Sequence, residues 1–219
     1  MHGPTPKSLR DFGPLARRGL RTAKRVTAPR LLRGSNAVKD QLQFLRGAIL
    51  RPRSVGAVAP SSPALARAIA REIDPDAPGR ILELGPGTGA VTAALIARGI
   101  PASRITAVER DSRFARLLVH KFPGIEIIEG NAFALAHTLG DRKGFAAIVS
   151  SLPLLLHAPA ERDQFVASAL ARMARGAPLV QFSYGFSMPV RPPAGAVVTR
   201  AAFVWKNLPP AQVWTYRNI

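Results

Sequence analysis

An apolar run, Ile81–Leu84, passes directly into the turn Glu83-Leu84-Gly85-Pro86-Gly87-Thr88-Gly89. Glycine at alternate positions lets the main chain adopt torsions that other residues avoid and lets a ligand approach the backbone closely. A second apolar run, Ile105–Val108, ends at Glu109. That residue lies about 20 positions beyond the turn, where a doubly wound sheet presents a carboxylate to a ribose diol. Together these residues predict a site for a nucleoside-bearing ligand. A glycine-rich strand-to-helix turn by itself would also serve a dinucleotide. Pro86 and the G-x-G-x-G spacing depart from that fingerprint.

The elements that must hold these residues are legible as alternation. Short apolar runs at 81–84, 105–108, 125–128 and 145–149 predict strands, and the stretches 91–98 and 113–122 between them predict helices. This alternation is that of βαβ units, hence a parallel sheet covered on both faces. A helix near 162–175 and a strand at 179–184 follow, and 196–205 with 213–216 read as a closing antiparallel pair. Upstream, Ser61 or Ser62 is placed to cap a helix with Pro63 in its first turn. The expected fold is α/β, a doubly wound, mostly parallel, seven-stranded sheet preceded by amphipathic helices.

Three segments carry a family resemblance: Glu83–Gly89, Val108-Glu109-Arg110-Asp111 and Glu129-Gly130-Asn131-Ala132 resemble the successive cofactor motifs of class I S-adenosylmethionine-dependent methyltransferases. The resemblance implies roles residue by residue. Glu83 would balance the cationic amino group of the cofactor's amino-acid part, and Gly85, Pro86, Gly87, Thr88 and Gly89 would wrap it. Glu109, with Arg110 beside it, would take the ribose hydroxyls. Asn131 and Ala132 would lie against adenine, and Ser150 would border the cofactor. Asn131 stands where an acid is commoner, and its side-chain carbonyl can still face the adenine amino group.

Two subfamilies share this phrase, ribosomal RNA adenine dimethyltransferases and soluble bacterial phospholipid N-methyltransferases. The former carry Asn-Leu-Pro-Tyr or a close variant at the end of the fourth strand. Here the residues are Ser150-Ser151-Leu152-Pro153-Leu154, without the asparagine or the aromatic platform for a flipped base. The phospholipid family is similar over more of the chain: Val55–Ser62, Ser151–Pro153, Gln181–Gly185 and Trp205–Trp214. That resemblance implies in-line methyl transfer to the neutral amine of phosphatidylethanolamine, toward phosphatidylcholine. Tyr184 would orient the amine, or steady its growing charge through the ring. Ser150 and Ser151 would accept amine hydrogen bonds, His157 would relay a proton, and Arg53 or Arg191 would meet the lipid phosphate.

Composition bounds the partners. The net charge of +18 calls for an anionic one, either a membrane surface or nucleic acid. Residues 1–53 hold 13 Lys/Arg against 2 acids, whereas residues 54–219 hold 18 against 11. The chain therefore divides into a basic helical extension, 1–53, and a catalytic domain, 54–219. Within the extension, apolar Leu9, Phe12, Leu15 and Leu20 face away from most of the cations between 8 and 26, a pattern suited to a lipid headgroup layer. Residues 36–50 predict a second helix that lies on the domain as a lid. With no cysteine and no metal-ligand spacing among four histidines, disulfides and thiolate metal sites are excluded and no metal is expected. No run reaches the roughly 20 apolar residues of a membrane span. The expected location is cytoplasmic, on the inner face of the cell membrane. A nucleic-acid arm and a non-catalytic membrane scaffold are the competing readings of the same charge.

Overall fold

A computed structural model describes residues 61–184 and 188–219. The expected helices at 8–26 and 36–50, the boundary at residue 53 and Arg53 itself lie outside the described residues.

Helix α1 (Pro63–Arg71) opens as its sequence requires. Ser62 is the cap, its hydroxyl accepting from the Leu65 N–H at 3.2 Å, and Pro63 occupies the first turn, where no N–H is needed. Then follow β1 (Ile81–Leu84), α2 (Ala90–Ala97), β2 (Ile105–Glu109), α3 (Ser112–Lys121), β3 (Glu126–Glu129), α4 (Leu135–Leu139), β4 (Ala147–Ser150), α5 (Pro159–Leu170), β5 (Leu179–Tyr184), β6 (Ala196–Val204) and β7 (Ala211–Asn218). The sheet order is β3-β2-β1-β4-β5-β7-β6. All pairs from β3 to β5 are parallel, and β7 runs antiparallel between β5 and β6.

Strands β1, β2 and β4 are buried throughout, so they carry continuous apolar runs rather than alternating ones. Residue parity divides their side chains between two cores. Ile81, Val149, Val180 and Phe182 pack with Leu65 and Ile69 of α1 and Val91 and Leu95 of α2. Leu82, Leu84, Ile148 and Leu179 pack with Leu135 of α4 and with Phe165, Val166 and Ala169 of α5. Chain order reverses between β1 and β4, so a crevice opens beyond their carboxyl ends.

Two expected elements shift. The helix predicted at 162–175 is α5, helical from Pro159 to Leu170, because Pro159 supplies a preset first turn and Glu161 accepts from the Ala158 N–H at 3.1 Å. The run at 145–149 enters the ladder only at Ala147, Phe145 making an isolated bridge to Met173. Helix α4 has no counterpart among the expected elements; five residues are too few to show a period.

Candidate cofactor and acceptor site

The glycine turn leaves the central strand and enters α2, with Gly85, Gly87 and Gly89 all at positive φ (69°, 56° and 79°). The three do different work. A Cβ at Gly85 would lie 2.7 Å from Leu152 Cδ2, so this glycine lets the loop after β4 close on the turn. A Cβ at Gly89 would lie 2.3 Å from Phe122 Cε2 and 2.9 Å from Leu118 Cδ2, which makes it the seat of α3. At Gly87 a Cβ would meet nothing within 4 Å, so only this glycine turns its backbone toward open space. The Lys121 ammonium donates to the Thr88 carbonyl at 2.9 Å and pins the outer side of the turn; the Pro86 carbonyl accepts from the Gly89 N–H at 2.9 Å.

Glu83 has the parity of Ile81 and therefore faces α2. It is fully buried, and its Oε2 accepts from the Thr92 hydroxyl at 2.7 Å. Its Oε1 is buried without a hydrogen-bond partner. Loss of solvent pushes its pKa up to about 7, against which the Thr92 bond acts. Burying a carboxylate with one oxygen unpaired is costly unless something cationic completes it. The Glu109 carboxylate spans the mouth of the turn: Oε2 accepts from the Gly87 N–H at 3.0 Å and Oε1 from the Asp111 N–H at 2.9 Å. Arg110 projects on the surface, and Asp111 caps α3 and pairs with Arg113 at 2.6 Å.

The third motif follows β3. Ala132 is buried, whereas Asn131 is exposed and its Oδ1 accepts from the Phe133 N–H at 3.0 Å. That carbonyl is thus already used in a local turn, with one lone pair left for any ligand. Phe133 stacks on the His157 ring, centroids 3.9 Å apart, and the His157 Nδ1 lies 3.5 Å from Glu161. His157 therefore sits beside the third motif and is not among the residues that line the apolar pocket beyond β4.

Ser150, Ser151 and Tyr184 do come to the same edge of the sheet. Ser150 is fully buried in register with Leu84 and Gln181, its hydroxyl accepting weakly from the Leu152 N–H at 3.4 Å. The Ser151 hydroxyl is buried without a partner. Beyond them lies a small, open apolar pocket of about 20 Å³, lined by Pro153, Leu154, Leu155, Phe182, Ser183, Tyr184 and Pro189. Tyr184 packs edge-on against Phe182 at 5.4 Å and pairs with the Asn207 side chain. Burial pushes its pKa up to about 12, so the phenol stays neutral at physiological pH and is no general base. Arg191 is exposed on the segment after Pro189.

The sequence alone did not single out Thr92, Asn207 or Gln181. Thr92 carries a signal, a polar residue in the otherwise apolar α2. Gln181 is buried in β5 and donates to the Leu152 carbonyl at 3.0 Å, holding the loop after β4, while its Oε1 is buried and unpartnered.

A sulfonium amino acid linked to adenosine asks for an anion beside its amino group and an acceptor at its ribose diol. An unpaired buried carboxylate oxygen, an adjacent open backbone at Gly87 and a second carboxylate at Glu109 fit such a group.

Similarity to known proteins agrees. The family described as ribosomal RNA adenine dimethylase matches residues 61–143. An ornithine lipid N-methyltransferase from Singulisphaera acidiphila is 34% identical over 122 residues, which are 53% of this chain and 64% of that protein. A ribosomal RNA small subunit methyltransferase A from Mesorhizobium japonicum is 39% identical over 83 residues, 33% of this chain and 29% of the relative. The chain thus spans less than two thirds of either relative. In fold it is similar to TrmN from Thermus thermophilus, with a TM-score of 0.54 at 17% identity over 81% of this chain and 53% of that one. The sheet order is that of the class I S-adenosylmethionine-dependent methyltransferase fold, and the motifs on its central strands and these relatives are similar to that superfamily.

Proposed function

We propose that the protein transfers methyl groups to the amine of phosphatidylethanolamine at the membrane surface, toward phosphatidylcholine. The observation that carries this reading is the acceptor edge: an apolar pocket beside Tyr184, entered past Ser150-Ser151-Leu152-Pro153, with no aromatic at Leu154 to stack a base. The similarity to an ornithine lipid N-methyltransferase supports a lipid amine. The ribosomal RNA adenine dimethylase match supports a second reading, methylation of adenine in RNA. It ends at residue 143, before β4 begins, and so spans the cofactor half without the acceptor loop.

S-adenosylmethionine would supply an electrophilic methyl on its sulfonium, the S–CH3 bond breaking as the N–CH3 bond forms and S-adenosylhomocysteine leaving. Glu83, the backbone at Gly87 and Glu109 would hold it, with Ala132 beneath adenine. The chain's own part is then positional. An amine is a nucleophile only after losing its proton, and alignment along the transfer axis supplies much of the rate. The neutral Tyr184 phenol, fixed by Asn207, orients the amine, and its ring faces the charge that grows on nitrogen. The Ser151 hydroxyl, lacking a partner, is the acceptor for an amine N–H.

Tyr184→Phe is expected to keep most turnover if the ring dominates. Tyr184→Ala should reduce turnover on phosphatidylethanolamine by about a hundredfold with cofactor affinity nearly unchanged. Labelled-cofactor transfer assays check this, with phosphatidylethanolamine liposomes, ornithine lipid and ribosomal RNA offered side by side. Full activity of the alanine variant would return Tyr184 to a structural role, and methylation confined to RNA would end the lipid reading.

Residues 8–33 would anchor the protein to anionic lipid on the cytoplasmic face, since they carry 8 Lys/Arg against Asp11 alone. Among the described residues no helix is long and apolar enough to cross a membrane. Each surface cation contributes about 1 kcal/mol, screened by salt. Deleting residues 1–33 should weaken sedimentation with phosphatidylglycerol vesicles, most strongly at low salt, while calorimetric cofactor affinity persists. Unchanged sedimentation would remove the anchor role from this segment.

A further inference from the structure

The turn between β6 and β7 places two large apolar side chains in water. Trp205 and Leu208 are each 73% exposed, and the Trp205 ring leans on Phe203 with centroids 4.4 Å apart. Scattered surface apolar residues need no explanation. Here they flank a residue that is fixed with care. Asn207, between them, is buried; its Oδ1 accepts from the Ser62 N–H at 3.0 Å and its Nδ2 donates to the Pro209 carbonyl at 2.7 Å. The turn is therefore anchored from inside while Trp205 and Leu208 point outward. Burying either side chain is favourable, so their exposure leaves a driving force unused.

Charge selects the occupant. The last 56 residues, 164–219, hold six Lys/Arg and no Asp or Glu, and Lys206 lies exposed within the turn itself. The acid that touches this ribbon, Glu72, meets Thr215, away from the turn. An indole, a leucine and a lysine on one rigid turn match the boundary between anionic headgroups and acyl chains. There the indole sits half wet, the leucine is buried, and the lysine reaches back to phosphate.

We propose that the β6–β7 turn is an interfacial anchor, distinct from residues 8–33, that inserts Trp205 and Leu208 into an anionic bilayer. Its position gives it a second consequence, which rests on the lipid-methyltransferase reading. Asn207 also lies against Tyr184, so the element that enters the membrane adjoins the wall of the pocket. Docking through this turn sets the pocket against the headgroup layer, and an amine headgroup enters it without its acyl chains leaving the bilayer.

The experiment uses the full chain and phosphatidylglycerol–phosphatidylethanolamine vesicles with brominated acyl chains. Tryptophan emission of the wild type should shift to the blue and be quenched. Trp205→Phe should lose the quenched component yet still sediment with vesicles, because Trp214 is held by the Ser183 hydroxyl at 3.1 Å within the sheet. Leu208→Glu, at an exposed position, should weaken vesicle binding by about tenfold with cofactor affinity unchanged. Its activity should fall on vesicles and persist on phosphatidylethanolamine dispersed in detergent. Unquenched Trp205 on sedimented protein would overturn the anchor and assign the contact to another segment. Shielding of Trp205 from an aqueous quencher before vesicles are added would also overturn it, pointing to cover by this chain or a second copy. A response to RNA and not to vesicles would replace the bilayer with nucleic acid. Quenching by vesicles with no methylation of detergent-dispersed phosphatidylethanolamine would retain the anchor and remove the lipid-acceptor reading.

Discussion

Glu83→Gln is expected to weaken S-adenosylmethionine binding by at least about thirtyfold near pH 8, the effect of removing one partner from a buried charge pair. The same substitution should make the protein more stable. Burial raises the Glu83 pKa from the ordinary carboxylate value of 4.5 to about 7, so folding favours the protonated form. The group's contribution to stability is complete below about pH 4.5 and declines as pH rises through 7, where the wild type must bury a charge with Oε1 unpaired. Glutamine keeps the size and the Thr92 hydrogen bond and never ionises. Its gain near pH 8 is up to about 3 kcal/mol, the free energy of the shift. Binding has the opposite dependence, because a cationic amino group needs the carboxylate. Wild-type affinity should fall about tenfold per pH unit below 7, and the variant's pH profile should be flat. Thermal melts and calorimetry across pH 5.5–8.5, a range set by roughly 1.5 units either side of that pKa, check both signs. Equal affinity with parallel profiles would dissociate Glu83 from the cofactor.

The second large effect separates glycines that sequence treats alike. Gly89→Ala should destabilise the fold by about 3 kcal/mol, since its Cβ would overlap Phe122 and Leu118 where φ is 79°. Gly87→Ala places a Cβ in open space and costs only about 1–2 kcal/mol for the left-handed torsion. Gly87→Val should stay folded and lose cofactor binding, because its side chain occupies the surface a ligand must approach. Glu109→Ala should also weaken binding, and it additionally frees the Gly87 and Asp111 N–H groups that the carboxylate now holds. Melting temperatures and calorimetric titrations on the four variants read the two effects independently. If Gly87→Val and Glu109→Ala both bind as the wild type does, the turn is not the cofactor site.

What the sequence by itself determined was periodicity and local chemistry. Parallel strands buried on both faces must be short apolar runs, so Ile81–Leu84 and Leu179–Tyr184 were legible to the residue. Ser62 and Pro63 were legible as a helix start because capping depends on neighbours within one turn. Glycine spacing and an acid beyond the next strand marked the candidate cofactor edge for the same reason. Tertiary structure decided everything that depends on which residues distant in sequence become neighbours. It paired Thr92 with Glu83, divided Gly87 from Gly89 by what stands opposite each, and joined Tyr184 to Asn207 across the β5–β7 ribbon. It also stacked His157 on Phe133, outside the lining of the pocket that Leu154 and Leu155 help form. The physical reason is that a strand's period tells which face a side chain takes, whereas burial, an unpaired oxygen or a shifted pKa arises only from the surfaces that close over that face.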